Sequence, residues 1–330
     1  LINALKQKYN WQDGDEIIVP PVTWVTNISP IMQCGLKPVF VDINLQDLSF
    51  DYEKINESIT EKTKAIFVTH LIGIPADMKK IRHIADKNNL IVMEDCCESH
   101  GAHQDGKKVG NFGVAGTFSF YWGHHMSTVE GGMICTDDED MYHSFLLKRS
   151  HGLARELPAE HHQRHRDKHG DIDFSFLFLT DGFNFRNTEL HAAIGLSQIK
   201  KLDDYIKIRN ENYQHFLSMC SNYKEHLILI DKPGMSSFSL PFLFKDLHKK
   251  KEFQKLLSER GIESRPMIGG NLLKQPFLKH LNKDHRDFPN SEFVHHNSFY
   301  IGNNQFVEEG RLNLLQNAMQ EYFEGKNQIL

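Results

Sequence analysis

Short apolar runs alternate with amphipathic segments from Asp15 onward, and this alternation limits the possible folds more than any other feature of the sequence. The apolar runs predict strands, and the amphipathic segments, several of which open on an Asp or Asn cap, predict helices. We expect strands at residues 16–19, 38–41, 63–69, 90–94, 116–121 and 132–136, and helices at 27–34, 51–59, 78–88 and 138–150. This order indicates an α/β fold with a mostly parallel sheet sandwiched by helices, in which ligands collect at the carboxyl ends of the strands.

The pattern changes after Asn222, where strands and helices no longer alternate regularly. Two amphipathic helices are expected before this point, at residues 188–202 and 205–219, and the first carries one apolar face. That face consists of Leu190, Ala193, Ile194, Leu196 and Ile199. After Asn222, strands are expected at residues 225–230, 239–244 and 263–267, and helices at residues 250–260 and 307–323. We therefore predict a large domain at residues 1–205 and a smaller α+β domain at residues 206–330.

Composition and charge exclude several classes of protein. The chain has 330 residues, 40% of them hydrophobic and 25% charged, which is ordinary for a globular protein. The formal net charge is −5, so the chain lacks the excess of basic residues typical of proteins that bind nucleic acid, and no nucleic-acid partner is expected. No run approaches the roughly 18 apolar residues of a membrane helix, so no membrane partner is expected. Five cysteines, an odd number, argue against a disulfide framework and favour the reducing cytoplasm.

Four of the 20 histidines fall within residues 158–171, which we call the histidine-rich segment. Arg and Lys residues are interleaved with these histidines, and no cysteine or paired carboxylate is spaced for coordination within the segment. The sequence therefore favours an exposed loop over a metal site here.

Residues 116–136 bring titratable and glycine residues between two strands that we expect to be buried. Between these strands lie His124 and His125, together with two hydroxyl residues and a turn at residues 130–132. An isolated histidine in a turn is most often a surface residue. This concentration of polar groups between apolar strands instead indicates a functional site. Asp95 follows another expected strand and would reach the same edge of the sheet, although an Asp there is also a common cap or turn residue.

Ser119-Phe120, a gap, and then Glu130-Gly131-Gly132 resemble the cofactor-lysine loop of a known family. The family is the DegT/DnrJ/EryC1/StrS sugar aminotransferases, which use pyridoxal 5′-phosphate (PLP). The resemblance implies a fold type I PLP-dependent transferase with a large domain and a smaller C-terminal α+β domain. In that family a lysine stands five residues after the serine, and His124 occupies that position here.

The resemblance also assigns expected roles to five residues that would contact the cofactor. Asp95 would pair with the pyridinium nitrogen, and Trp24 would stack on the ring, although alone it would be typical of a core tryptophan. Glu98 stands where the family usually has glutamine near the phenolic oxygen of the ring. Ser119 would contact the phosphate. Asn184, which alone would be read as a turn residue, would reach the phosphate of a neighbouring subunit, so a homodimer with shared active sites is expected.

Histidine at position 124 implies a change of reaction within the family. A lysine would form a Schiff base with PLP, whereas imidazole cannot, although it remains a base near neutral pH. A branch of the family with this histidine comprises sugar 3-dehydratases. They act with pyridoxamine phosphate, which L-glutamate regenerates, on 4-keto-6-deoxy nucleotide sugars for lipopolysaccharide O-antigen. One dehydratase type needs four clustered cysteines for an iron–sulfur centre, and after Cys135 only Cys220 is present here, so the cluster-free type fits better.

Two alternatives remain open from the sequence. The chain could be an aminotransferase that tolerates histidine, or an inactive sugar-nucleotide-binding homologue that has lost the lysine. The family also binds phosphate with a Gly-Ser/Thr loop, which should precede Leu1. The resemblance therefore implies that the family's amino-terminal part is missing from this sequence.

Overall fold

The computed structural model describes residues 1–307 and 309–325. Its strands are β1 (Glu16–Val19), β2 (Lys37–Phe40), β3 (Thr63–Thr69), β4 (Ile91–Asp95), β5 (His103–Gln104), β6 (Lys107–Lys108), β7 (Ala115–Ser119), β8 (Gly132–Cys135), β9 (Leu227–Ile228), β10 (Ser239–Phe244), β11 (Ser264–Arg265) and β12 (Ser298–Gly302). Its helices are α1 (Ile2–Lys8), α2 (Ser29–Gln33), α3 (Tyr52–Glu57), α4 (Met78–Lys87), α5 (Glu139–Arg149), α6 (His162–Lys168), α7 (Glu189–Gln198), α8 (Leu202–Ser221), α9 (Leu247–Glu259), α10 (Pro289–Asn297) and α11 (Glu309–Glu324).

A six-stranded sheet in the order β2-β1-β3-β4-β7-β8 forms the centre of the first part of the chain. The pairs from β2 to β7 are parallel, and β8 is antiparallel to β7. Successive residues of β1 point to opposite faces, so Ile17 packs with α1, α2 and α5 while Ile18 packs with α3 and α4. The expected α/β architecture, with a mostly parallel sheet between helices, is confirmed.

The later part of the chain contains a four-stranded antiparallel sheet in the order β11-β12-β10-β9. The apolar side of this sheet packs against α8, α9 and α11 around Phe242, Phe253 and Phe299. The strand β12 was not expected from the sequence. The division at residues 205 and 206 falls inside the continuous helix α8, so it stays a prediction about domains rather than a visible break in the chain.

Buried contacts join the two sheets. Val22 and Ile43 from the first part pack with Ile230 and Leu243 from the second. The buried Asp42 carboxylate accepts from the backbone N–H groups at the start of α10, at 2.9 to 3.0 Å. A carboxylate there satisfies the free N–H groups of a helix N-terminus, so this contact fixes α10 against the large sheet.

Two expectations about local structure were wrong. The histidine-rich segment is not simply a loop, because it contains α6, whose Arg166 lies over the ring of Phe174 with its guanidinium carbon 3.9 Å from the ring centroid. The strand β8 is exposed rather than buried. The helix α7 forms where expected, but its apolar residues are exposed in the single chain, Leu190 by 77%.

The described residues contain no helix that is long and apolar enough to cross a membrane. All five cysteines are unpaired.

Candidate active site

The carboxylate of Asp95 lies at the edge of the large sheet where β3, β4 and β7 end. It is buried, and its oxygens accept from Asn27 Nδ2 at 2.7 Å and from the backbone N–H of Cys97 at 3.0 Å. The Asn27 amide also donates to the hydroxyls of Thr23 and Thr69, at 2.7 and 3.0 Å. This network fixes the orientation of the carboxylate at the position where the sequence places a site.

Glu94, one residue earlier, anchors the end of β4 from the other face of the sheet. It is fully buried and accepts from His70 Nε2 at 3.1 Å, while His70 Nδ1 accepts from the backbone N–H of Ala76. Backbone N–H groups of the loop at residues 110–113 donate to Glu94 at 2.6 to 2.8 Å. Burial alone would raise the pKa of Glu94, but these hydrogen bonds outweigh burial and lower it. Glu94 is therefore a structural carboxylate that supports Asp95.

Trp24 stands just before the short helical turn that carries Asn27. Its side chain is 56% exposed, although the neighbouring Val22 and Thr23 are fully buried. A large aromatic ring exposed beside a buried carboxylate is not the core residue that its sequence alone would suggest. It offers a flat apolar surface at the sheet edge.

The loop after β7 is tightly organised by its own backbone. The backbone N–H of Phe120 donates to the carbonyl of Gly131 at 2.9 Å, and that of Thr128 donates to the carbonyl of Phe120 at 2.9 Å. Gly131 has a φ of 140°, and an added Cβ would lie 2.7 Å from Thr128 Oγ1, so only glycine fits. Ser119 Oγ accepts from the backbone N–H of Tyr121 at 3.2 Å, which leaves its own O–H proton free to donate.

His124 is held in this loop between aromatic rings. Its imidazole lies 5.4 Å from the ring of Phe238 and 6.2 Å from the ring of Tyr121, measured between centroids. Nδ1 of His124 is buried and has no hydrogen-bond partner among the described residues. Burial lowers the pKa of His124 to about 4, with Arg209 acting in the same direction and Asp95 opposing it. The ring is therefore neutral at pH 7, with a nitrogen available for a proton.

Arg209, on α8, was not anticipated from the sequence. Its guanidinium is buried and donates to the carbonyls of His124 at 3.3 Å, Phe238 at 3.2 Å and Asn303. Among the described residues it has no acidic partner, and burial lowers the pKa of Arg209 to about 10. Because α8 and Asn303 lie far from the loop in sequence, Arg209 ties the loop to the later part of the chain.

His125 and His100 lie next to His124, and Nδ1 of His125 and both nitrogens of His100 are likewise buried without a hydrogen-bond partner among the described residues. Both side chains are buried, whereas His124 is partly exposed. His125 is 1% exposed, and its Nε2 lies 3.1 Å from Ser236 Oγ. Its ring packs at 5.5 Å from that of His100. Burial lowers the pKa of both rings, that of His100 to about 3. Both histidines are therefore neutral core residues beneath the loop.

Glu98 is partly buried, and its Oε2 accepts from the backbone N–H of Ile72 at 2.9 Å. Burial raises the pKa of Glu98 to about 8, and the charge of Asp95 adds to the effect. At pH 7 the protonated acid therefore predominates. A protonated glutamic acid carries a donor as well as an acceptor, as the glutamine usual in the family does.

Asn184 does not join this cluster within one chain. It is exposed, and its Oδ1 accepts only from Arg186 Nε, at 3.3 Å. The structure thus brings Trp24, Asp95 and His124 to one sheet edge with Glu98 and Ser119, and leaves Asn184 on the outer surface.

The comparison with family models decides the relationship. Residues 1–313 match the model of the DegT/DnrJ/EryC1/StrS aminotransferase family. The chain belongs to this family. The resemblance expected from the loop around His124 is thereby confirmed across nearly the whole chain.

Individual family members narrow the resemblance to the histidine-containing branch. The chain is 38% identical over 306 residues to GDP-4-keto-6-deoxy-D-mannose 3-dehydratase of Escherichia coli O55:H7, covering 91% of this chain and 78% of the relative. The E. coli enzyme with bound hydrated PLP is 36% identical, with a TM-score of 0.88 over 96% of this chain and 83% of that one. A structure of GDP-4-keto-6-deoxymannose 3-dehydratase with a trapped PLP-glutamate geminal diamine has a TM-score of 0.87 at 35% identity, over 96% and 84%.

The residues at the sheet edge suit the cofactor of this family. The PLP ring needs a carboxylate for its nitrogen and a flat apolar face, which Asp95 and Trp24 offer. Its phosphate needs donors, and the Ser119 hydroxyl has one free. His124 also fits a site that receives a reacting group, because it is partly exposed whereas the neighbouring His100 and His125 are buried.

Replacing Arg209 with Gln should raise the pKa of His124 by on the order of one unit, because it removes a positive charge that disfavours protonation. Arg209→Lys keeps the charge and should change the pKa much less. An NMR titration of histidine labelled with ¹³C at Cε1 measures this, with the resonance assigned by its loss in His124→Asn. Arg82→Gln, on the exposed face of α4, is the matched control. An unchanged titration in folded Arg209→Gln would contradict the electrostatic role of Arg209.

Proposed function

We propose that this protein is a PLP-dependent nucleotide-sugar 3-dehydratase. It would remove the C3 hydroxyl of a GDP-4-keto-6-deoxy sugar, with L-glutamate as the amino donor, in deoxysugar synthesis for O-antigen. The observation that carries the proposal is His124, whose unpartnered, neutral imidazole occupies the place of the family's lysine. The relatives named for this reaction support the choice of substrate class.

Binding of the cofactor would be shared among four side chains. Asp95, oriented by Asn27, would keep the ring nitrogen protonated, and the exposed face of Trp24 would stack on the ring. Ser119 would donate to the phosphate, and protonated Glu98 would donate to the phenolic oxygen. When bound, the amine form of the cofactor supplies the nitrogen that condenses with the 4-keto group and an electron sink.

His124 would perform the proton transfers through its imidazole. Because its pKa is depressed to about 4, the imidazole is ready to accept a proton at neutral pH. Once protonated, it can deliver that proton to the oxygen that leaves C3, which departs as water. Arg209 disfavours the protonated ring, so the imidazolium returns its proton readily. Histidine can transfer these protons, but it lacks the amine nucleophile that transamination requires.

The reaction is tested by mass spectrometry of the sugar product. With PLP, L-glutamate and GDP-4-keto-6-deoxymannose, the product should lose the C3 oxygen, keep oxygen at C4, and appear with 2-oxoglutarate and ammonia. His124→Asn should lower the rate by about 10²–10⁴-fold, the usual contribution of a general acid–base. His280→Asn, an exposed histidine on a surface turn, controls for the substitution itself.

Two outcomes would replace the proposal. A 4-amino sugar that still carries its C3 oxygen would make the protein an aminotransferase. Binding of the nucleotide sugar without any consumption of glutamate would make it an inactive binding homologue.

We also infer a homodimer whose two active sites are shared. The loop after β7, the strand β8, the helix α7 and the segment just before α7 expose apolar side chains that a monomer would leave in water. They include Trp122, Val129, Met133, Phe185, Leu190 and Leu196, each more than half exposed. Patches of this kind mark protein interfaces. Asn184 lies in the same exposed region, which supports its role at the neighbour's phosphate. Unpaired thiols at all five cysteines support a cytoplasmic location.

Mixed dimers test the sharing of sites. Asn184→Ala and Ser119→Ala homodimers should each be weakly active, because both sites of each lack one phosphate contact. Equal mixing followed by subunit exchange should restore about a quarter of the wild-type activity, since half of the dimers then hold one intact site. Light scattering should give twice the chain mass of 38.3 kDa. No recovery in exchanged mixtures would place both residues in the same subunit's site.

A further inference from the structure

We propose that Glu139, His143 and His161 form a binding site for a divalent transition metal such as Zn²⁺. The site lies on the surface formed by α5 and the histidine-rich segment, and none of its residues belongs to the cofactor site. The sequence pattern of the histidine-rich segment favoured a loop over a metal site. It did not reveal this site, because Glu139 and His143 lie outside the segment.

The geometry is set by one helix and one turn. Glu139 and His143 are one helical turn apart on α5, so their side chains share a face. His161 ends the short helical turn Ala159–His161 that precedes α6. The rings of His143 and His161 meet edge to face with centroids 4.5 Å apart. One ligand atom from each of the three residues lies within 4.8 Å of the other two.

These three side chains are not used by other polar contacts in the described part of the chain. The side chains of Glu139 and His143 form no hydrogen bond or ion pair with any described residue, although the His143 ring also lies 5.7 Å from that of Tyr142. Nε2 of His161 is buried without a partner. A buried imidazole nitrogen without a partner is unfavourable, and a bound cation would satisfy it.

The donor set matches a transition metal rather than Mg²⁺ or Ca²⁺. Two imidazoles and one carboxylate are typical of open zinc sites, in which water takes the fourth position. Ligand atoms of tetrahedral zinc lie about 3.3 Å apart, because the bonds to the metal are about 2.0–2.1 Å long. The three ligand atoms must therefore move slightly closer together to bind the ion. Glu139 is exposed and can rotate to close that gap. Asp140, the next residue, adds negative charge to the same surface, which Arg164 also lines.

A second group of possible metal ligands differs from this one, because its histidine and carboxylate atoms already have hydrogen-bond partners. His70, Glu94 and Cys96 are also close together and buried. There, however, Glu94 already accepts from His70 and from three backbone N–H groups, and His70 Nδ1 accepts from Ala76. Burial also raises the pKa of the Cys96 thiol well above its usual value, which opposes metal binding. That group is structural, whereas the α5 group has open ligand positions.

The test is titration of the chelator-treated, tag-free protein with Zn²⁺ by calorimetry, and with Co²⁺ by visible absorption. We expect one ion per chain and the d–d bands of a four-coordinate Co²⁺ site, with no binding of Mg²⁺. The His143→Ala and His161→Ala variants should each weaken Zn²⁺ binding by about 10-fold or more. His169→Ala, in the same segment but outside the site, should leave it unchanged.

Three results would overturn the proposal. They are no saturable binding of Zn²⁺ or Co²⁺, binding that survives in a folded His143→Ala/His161→Ala double variant, and equal loss in His169→Ala. Circular dichroism of each variant separates loss of a ligand from loss of fold. Because none of the three ligand residues contacts Trp24, Asp95, Glu98, Ser119 or His124 in the described chain, cofactor absorbance should be the same in every variant.

Discussion

The candidate site depends on the buried hydrogen-bond network that fixes the end of β4. Glu94 is held by His70 and by three backbone N–H groups, and the next residue, Asp95, is held by Asn27. A buried carboxylate is tolerated only when its oxygens are satisfied, so the two residues fix the strand end and the loop around it together. Trp24 and the loop with His124 lie near the Asp95 carboxylate, whose position these hydrogen bonds fix.

Burial sets opposite protonation states at two groups of this edge. Glu98 is kept protonated by burial, and His124 is kept deprotonated and neutral by burial and by Arg209. An unpaired buried arginine is unusual, and its three carbonyl partners stand in for a counterion. Separate protonation states in neighbouring groups are what acid–base chemistry at neutral pH requires.

The sequence predicted the α/β fold and the residues that follow strands, because strand ends of a parallel sheet meet at one edge. It also marked His124 by its place in a family loop. Arg209 and Phe238 could not be predicted, since they reach the loop from distant elements and carry no motif. The apolar face of α7 was predicted from periodicity, but periodicity does not show which molecule covers such a face, and in the single chain it is exposed. The segment containing His161 was read alone, so its contact with His143 was missed.

We propose that a proton-transferring imidazole replaces the covalent tether at position 124. Borohydride reduction of the PLP-loaded protein, followed by intact and peptide mass spectrometry, tests it most directly. The wild-type protein should carry no covalent pyridoxyl group, and His124→Lys should carry one at residue 124. A wild-type adduct on any lysine at the site would show that a lysine still binds PLP covalently. That result would contradict the replacement of the tether by His124.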